Sequence, residues 1–449
     1  MYSAEIRCTL TCVSAARLLR GNPSPTIACR QRFAGRKDPV INVPTCRLSG
    51  SPLELVLDLG QQPLGNGFLL PPQFGDEYFF SLQCGFAEDS RLFQLIEQPA
   101  PEMMFHQDYA FFSGTSQRMK QHFADFANDV IEKGFVTGTA SFIVELGSND
   151  GIFLGHFAQR GIPHLGVEPS GAVADVAESQ GISVIREFFN TNLARTIIEE
   201  HGQADVVSAA NVMCHIPDIH ELAQGIELLL KDNGVLIFED PYLGDVIRLT
   251  SYDQIYDEHV FLFSALSVQS IFKTVGMELI DLQPQSTHGG SMRYTLAKEG
   301  RRPISTAVRE ILDRELAQGL DKTDTFIEFA LRVSESGAAL RGTMEQLRSE
   351  GMSIAAYGAT SKSTTIYNYA GIGPDLIDYI CDNTPLKQGK LSPGAHIPIF
   401  PEEHFREVPP DYAFLAAWNH EKELRDHNKA FESNGGRWIT HVPRVHVLD

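Results

Sequence analysis

The chain is short of everything that would tie it to a membrane, a nucleic acid or an oxidising compartment. Among its 449 residues no apolar run approaches the length of about 20 needed to span a bilayer. Basic residues are few, 37 against 57 acidic ones, and the net charge of −20 repels a phosphate backbone or an acidic membrane surface. No nucleic-acid or membrane partner is therefore expected, although a local basic pocket can still hold a small anion. The cysteines are seven, an odd number, scattered as Cys8, Cys12, Cys29, Cys46, Cys84, Cys214 and Cys381. That is a poor disulfide framework and points to a reducing compartment, the cytoplasm. What remains is ordinary globular material, 43% hydrophobic and 21% charged, long enough for two or three domains.

Residues 1–40 stand apart. Arg7, Arg17, Arg20, Arg30, Arg32, Arg36 and Lys37 face only Glu5 and Asp38, and Pro23 and Pro25 interrupt them. An arginine-rich, acid-poor start has the look of a mitochondrial transit peptide; a disordered tail or a misassigned start fits it as well.

The chain is organised around Ser141-Phe-Ile-Val-Glu-Leu-Gly-Ser-Asn-Asp-Gly151. A short apolar run ends in Glu145 and turns on Gly147 and Gly151, and Ile152–Phe157 can open a helix. Strand, tight turn and helix start together begin a βαβ unit. A second run, His164–Glu168, ends in a carboxylate placed to take a pair of ribose hydroxyls. A dinucleotide site needs glycine where Asn149 stands, so no pyrophosphate is expected. A nucleoside fits, and S-adenosylmethionine is the candidate.

Alternation of strand and helix runs from Ser141 to about Lys298, with strands at Asp205–Asn211 and Gly234–Glu239 and a helix at Glu221–Lys231. This predicts a doubly wound sheet, with Glu145, Glu168, Asn211 and Glu239 at the strand ends where ligands sit. Before it, residues 41–105 read as a small β-rich module with strands at Leu53–Leu59 and Tyr78–Gln83. An amphipathic helix spans about Ser116–Glu132. After it, residues 304–350 read as one long helical connector whose apolar face includes Ile311, Leu316, Phe326, Leu331 and Leu340. A second, smaller α/β unit then follows, with strands at Ser353–Tyr357, Leu376–Asp382 and Tyr412–Ala417. Its turn Gly358–Ser363 lacks the second glycine of a P-loop; with Lys362 it suits either a phosphate or a plain solvated helix start.

Three stretches carry a resemblance: Glu145–Gly151, Tyr256-Asp-Glu-His259, and Tyr357–Lys362 with Asp382–Gly389. From about Pro44 to the end the chain resembles the nucleotide-sugar C-methyltransferases that make branched deoxysugars. The resemblance implies a small zinc-binding-type module (41–105), a class I S-adenosylmethionine domain with a Rossmann-like sheet (106–300), and a connector with a second Rossmann-like domain that helps hold the nucleotide sugar (301–449). It assigns the base to His259, with Tyr256 and Glu258 beside it, a second active-site histidine to His215, and a catalytic tyrosine to Tyr109. It places the cofactor at Glu145, Gly147, Asn149, Asp150, Gly151, Glu168, Pro169 and Asn211. The nucleotide sugar falls to Gly358, Ser361, Lys362, Asp382, Asn383, Trp418 and Asn419.

Two departures stand out. Asp257 replaces a histidine of the family motif beside the base, a change able to alter substrate choice. Of the module's two Cys-x-x-Cys pairs only Cys46 survives, with Ser49, Ala87 and Ser90 at the other positions. One thiolate cannot hold tetrahedral zinc, so no metal is expected unless Cys84 and His106 rearrange to help. The chemistry implied is removal of a proton beside a sugar keto group, suited to histidine, followed by attack of the enolate on a sulfonium methyl. The rivals are an O- or N-methyltransferase of another acceptor and a non-catalytic nucleotide-sugar-binding homologue. A monomer or weak homodimer is expected.

Overall fold

Glu54–Pro63, Phe79–Ala87 and Leu92–Leu95 form an antiparallel meander, and its fourth strand comes from far along the chain, Phe261–Leu262. This computed structural model describes residues 43–104 and 117–448; residues 1–40, Tyr109 and His106 lie outside them. Gln94 pairs with Phe261, and the Leu95 N–H donates to the Val260 carbonyl at 2.7 Å. The small sheet has no core of its own. Leu57, Phe80, Phe86 and Phe93 pack with residues of the C-terminal half, Phe86 lying 4.2 Å from Phe326 between ring centroids. Cys46, Leu53, Ala87 and Leu92 join the core of the central sheet instead.

The central sheet has seven strands. Ile143–Leu146, His164–Val167, Val184–Ile185, Ala204–Ala210 and Leu230–Pro241 are parallel, and Met277–Gln285 with Ser291–Lys298 adds an antiparallel pair. Numbered along the chain they lie 3-2-1-4-5-7-6, a doubly wound Rossmann-like arrangement that reverses between Ile143–Leu146 and Ala204–Ala210. The parallel strands are nearly continuous apolar runs because helices cover both faces. Gln117–Glu132 is a helix as expected, burying Phe123, Phe126 and Val130. The helix after Gly151 is shorter than expected, only Gly155–Ala158.

The connector is two helices, Thr306–Ala317 and Thr323–Ser349, because Gly319 turns the chain at φ +70°. Two of its expected apolar-face residues, Leu316 and Leu331, are exposed, 46% and 62%. The third sheet runs Ile399–Phe400, Ile380–Cys381, Ile354–Tyr357, Tyr412–Leu415, Arg437–Thr440 and His446–Val447, parallel except at the last strand. The strand expected over Leu376–Asp382 shrinks to two residues, since a turn at Gly373 takes up the amides of Leu376 and Ile377. The helix Ser361–Ala370 starts on a capping box between Thr360 and Ser363. Among the described residues no helix is long and apolar enough to cross a membrane.

Candidate active site

A cavity of about 630 Å³ opens at the carboxyl ends of the central strands, and all three sheets' surroundings contribute to it. Its volume is that of a small-molecule site. Three of the six non-glycine residues with positive φ among the described residues, Asn149, Asn211 and His288, line it. Backbone strain of that kind gathers where function holds it in place.

One wall is the strand–turn stretch. Gly147 adopts φ +65°, and a Cβ there would lie 2.3 Å from Val212 Cγ2, so the turn admits no side chain. Glu168 accepts hydrogen bonds from the Asn149 N–H at 3.0 Å and the Ser170 N–H at 2.8 Å. Burial raises its pKa and those two donors oppose the rise. Glu145 is 4% exposed, and its Oε2 has no hydrogen-bond partner among the described residues. Burial first, then Asp150 and Glu168, push its pKa well above the carboxylate range. Such a cluster is short of positive charge. Glu145, Gly147, Asn149, Glu168, Pro169 and Asn211 line the cavity; Asp150 and Gly151 stand behind the turn. Glu239, also at a strand end, is taken up by His122 at 2.6 Å and Arg293 at 2.5 Å and does not line it.

The opposite wall carries His259 and His215, their rings stacked 5.3 Å apart. The His259 Nδ1–H donates to the Gln254 carbonyl at 2.7 Å, which can only accept. The lone pair is thereby assigned to Nε2, which accepts from the Tyr256 hydroxyl at 2.9 Å. Burial, then His215 and Lys362, hold the His259 pKa well below its ordinary value. Burial pushes His215 down to about 4. Both imidazoles are neutral at neutral pH. Asp257 turns away from the cavity: its Oδ1 accepts the Gly65 N–H at 3.0 Å, and burial pushes its pKa up to about 7. The departure beside the base therefore stands off the cavity lining and holds the loop at Gly65.

From the C-terminal unit, Ser361, Lys362 and Asn419 reach the cavity. Burial lowers Lys362 to about 8. Gly358, Asp382, Asn383 and Trp418 do not line it. Asp382 is occupied with the Ala359 N–H at 2.7 Å and the Thr384 N–H at 2.8 Å, and the Trp418 indole N–H with buried Asp253 at 2.8 Å. Residues that sequence reasoning missed complete the lining: Asn66, Arg118, Phe188, His288, Lys387 and His420. Lys387 lies within the stretch Asp382–Gly389, Asn66 between Gly65 and Gly67, and His288, at 54° in φ, before Gly289-Gly290; the others sit in no local motif.

The donors for a zinc ion in the N-terminal region do not fit. Cys46 Sγ stands 3.2 Å from Ser90 Oγ and accepts from Gln94 Nε2 at 3.3 Å, so neutral hydrogen-bonding groups fill the place of ligands. Burial raises the Cys46 thiol, but hydrogen bonds from Ser49 and Ser90 outweigh it and lower it. Elsewhere Cys214, His215 and His259 bring donor atoms within 4.8 Å of one another, three ligands of zinc type. The purified protein is expected to hold no stoichiometric zinc and to keep its fold under chelation. Elemental analysis checks this: one tightly held equivalent would show that such a donor set had taken over.

Comparison with known proteins matches three successive stretches of the chain, the last of which takes in the strand Ser291–Lys298 of the central sheet. Family models match for a "Putative zinc binding domain" over residues 46–105, a "Methyltransferase domain" over 118–282 and a "C-methyltransferase C-terminal domain" over 286–443. The C-methyltransferase NovU of Streptomyces niveus is 32% identical over 416 residues, 92% of this chain and 98% of its own. Among solved structures, a methyltransferase of Anabaena variabilis is 15% identical with a TM-score of 0.32, covering 39% of this chain and 84% of its own. The magnesium protoporphyrin IX methyltransferase of Synechocystis PCC 6803 is 14% identical with a TM-score of 0.31, covering 40% and 79%.

Proposed function

This chain belongs to the C-methyltransferase family, its central sheet being that of a class I methyltransferase, and we propose that it methylates a carbon beside the keto group of a nucleotide-linked deoxysugar. The observation that carries the reading is a neutral histidine, His259, with its lone pair assigned to Nε2 in the same cavity as an electron-rich strand end.

The residues of that strand end fit S-adenosylmethionine: unpaired Glu145 Oε2 and its acidic neighbours suit an ammonium or sulfonium, and Glu168 keeps lone pairs for ribose hydroxyls. When bound, that cofactor supplies an electrophilic methyl. His259 Nε2 takes the proton from the carbon next to the keto group. Its ring, neutral through burial, is ready for this at working pH. The Tyr256 hydroxyl, released from Nε2 as that atom is protonated, and the Lys362 ammonium stabilise the enolate oxygen. The enolate carbon would then be placed to accept the methyl, the C–S bond breaking to leave a neutral thioether.

Mass spectrometry of keto-nucleotide sugars incubated with methyl-labelled S-adenosylmethionine tests this; label on a sugar carbon is the expected result. Label on oxygen or nitrogen, with no exchange of a substrate C–H into deuterated solvent, would replace the reading with the O- or N-methyltransferase. Failure to bind the cofactor in calorimetry would favour a non-catalytic homologue.

A pH dependence follows from Glu145. Its carboxyl must be ionised to meet a cation, and its pKa is raised. Cofactor affinity is therefore expected to rise with pH above the ordinary carboxylate range and to fall as pH drops through the raised pKa. Glu145→Gln should flatten that dependence in calorimetry; an unchanged slope would remove Glu145 from the contact.

A further inference from the structure

We propose that Asn66, carried by the N-terminal sheet, is a positioning residue of the active site that acts through Glu258. The N-terminal region is then kept as a working wall of the catalytic cavity, not as a metal-binding appendage. The inference rests on the function proposed above.

The loop after Glu54–Pro63 turns tightly, with the Gly67 N–H donating to the Leu64 carbonyl at 3.0 Å. It is wedged between the catalytic turn and the start of Ser361–Ala370. Gly65 is gripped from both sides: its N–H donates to Asp257 Oδ1 at 3.0 Å, and its carbonyl accepts from the Thr364 hydroxyl at 3.0 Å. A Cβ at this position would lie 2.8 Å from Asp257 Oδ1 and 2.9 Å from Ser361 Cβ, so no larger residue fits. Next to it, Asn66 Nδ2 donates to Glu258 Oε1 at 2.6 Å, and both side chains line the cavity. Two successive residues of one loop thus hold two successive residues of the turn that ends at His259.

The chemistry of the donor matters. Glu258 is 3% exposed, and a carboxyl group so buried needs hydrogen-bonded partners to stay in one place. A carboxamide gives it a donor and holds the carboxyl group in one orientation beside the base. The attachment of the sheet itself does not depend on Asn66. The Phe86 and Phe93 rings against Phe326, and the Leu95 N–H on Val260, carry it. Removal of one amide therefore tests position and not folding.

The experiment compares wild type, Asn66→Ala, Asn66→Asp, Glu258→Ala and the Asn66→Ala/Glu258→Ala pair. It measures kcat and KM on the keto-nucleotide sugar that wild type turns over, and hydrogen exchange of residues 253–262 without substrate. Asn66→Ala is expected to lower kcat by about 10–100-fold, the range for a lost hydrogen bond to a charged group. Cofactor affinity and Tm should stay near wild type, and exchange in 253–262 should quicken. Asn66→Asp, which sets a second carboxylate against the first, should be worse than Asn66→Ala. On the Glu258→Ala background Asn66→Ala should cost nothing more, since its partner is gone. Wild-type kcat in Asn66→Ala, an equal loss on both backgrounds, or unchanged exchange in 253–262 would each overturn the inference. If wild type itself methylates no keto sugar, the proposed function fails, and the exchange arm alone still decides whether Asn66 holds the turn.

Discussion

His259→Ala and His259→Asn are expected to bind cofactor and substrate nearly as wild type does and to lose about 10²–10⁴-fold in kcat, the range for a positioned general base. The ring is held by the Gln254 carbonyl at 2.7 Å and faces the Tyr256 hydroxyl at 2.9 Å, which fixes its lone pair at Nε2. The same variants should lose exchange of the acidic substrate C–H with deuterated solvent, which needs deprotonation but not methyl transfer. His215, stacked on His259 at 5.3 Å, is the competitor. Burial lowers both rings, His215 to about 4, so basicity does not separate them; as a residue that positions substrate, His215→Asn should slow turnover while some exchange survives. If His259→Ala retains exchange and His215→Asn abolishes it, the base is His215. If neither variant changes it, Tyr256 and Glu258 are next to be tested, together with Tyr109.

Glu168→Ala is expected to weaken S-adenosylmethionine by about 1.5–3 kcal/mol, the worth of charge-assisted hydrogen bonds to ribose hydroxyls. The structure adds a second reason for a large effect. The carboxylate also fastens the backbone N–H groups of Asn149 and Ser170, one on each oxygen. Its removal frees a turn held at φ +47° at Asn149 as well as deleting a contact. Glu168→Gln, which keeps one accepting oxygen, should lose less. Calorimetry decides; an unchanged affinity for Glu168→Ala takes this residue out of the site.

What could be read from the sequence follows the range over which a signal acts. The cofactor side is local: an apolar run, an acidic end and a glycine turn all lie within Ser141–Gly151, and the strand ending at Glu168 repeats the grammar. The catalytic turn carries no periodicity; Tyr256, Glu258 and His259 were legible only through resemblance. Gly65-Asn66-Gly67 reads as a loop, but the role of Asn66 was not legible, because it is a contact with Glu258, 192 residues along the chain. Trp418 and Asp382 show the converse. A polar residue near the right loop looks like a ligand until its hydrogen bond is found spent on Asp253 or Ala359. The antiparallel pair Met277–Gln285 and Ser291–Lys298 looks in the sequence like more alternating β and α, since a buried antiparallel strand and a parallel one have the same apolar content.

The strand Phe261–Leu262, which closes the N-terminal sheet, has a consequence for how the chain is made. During synthesis the meander of Glu54–Leu95 leaves the ribosome with the edge of Leu92–Leu95 bare, its amides and carbonyls without partners. They wait until five of the seven strands of the central sheet have been translated. Closing so long a loop is entropically costly, and pairings between distant segments form slowly. An open, apolar edge is also where chains find one another before they find themselves. The two residues that finish that edge come directly after His259, separated from it only by Val260. Completion of the first sheet and placement of the base are therefore one late event in the life of the polypeptide, and a nascent chain halted before it has neither.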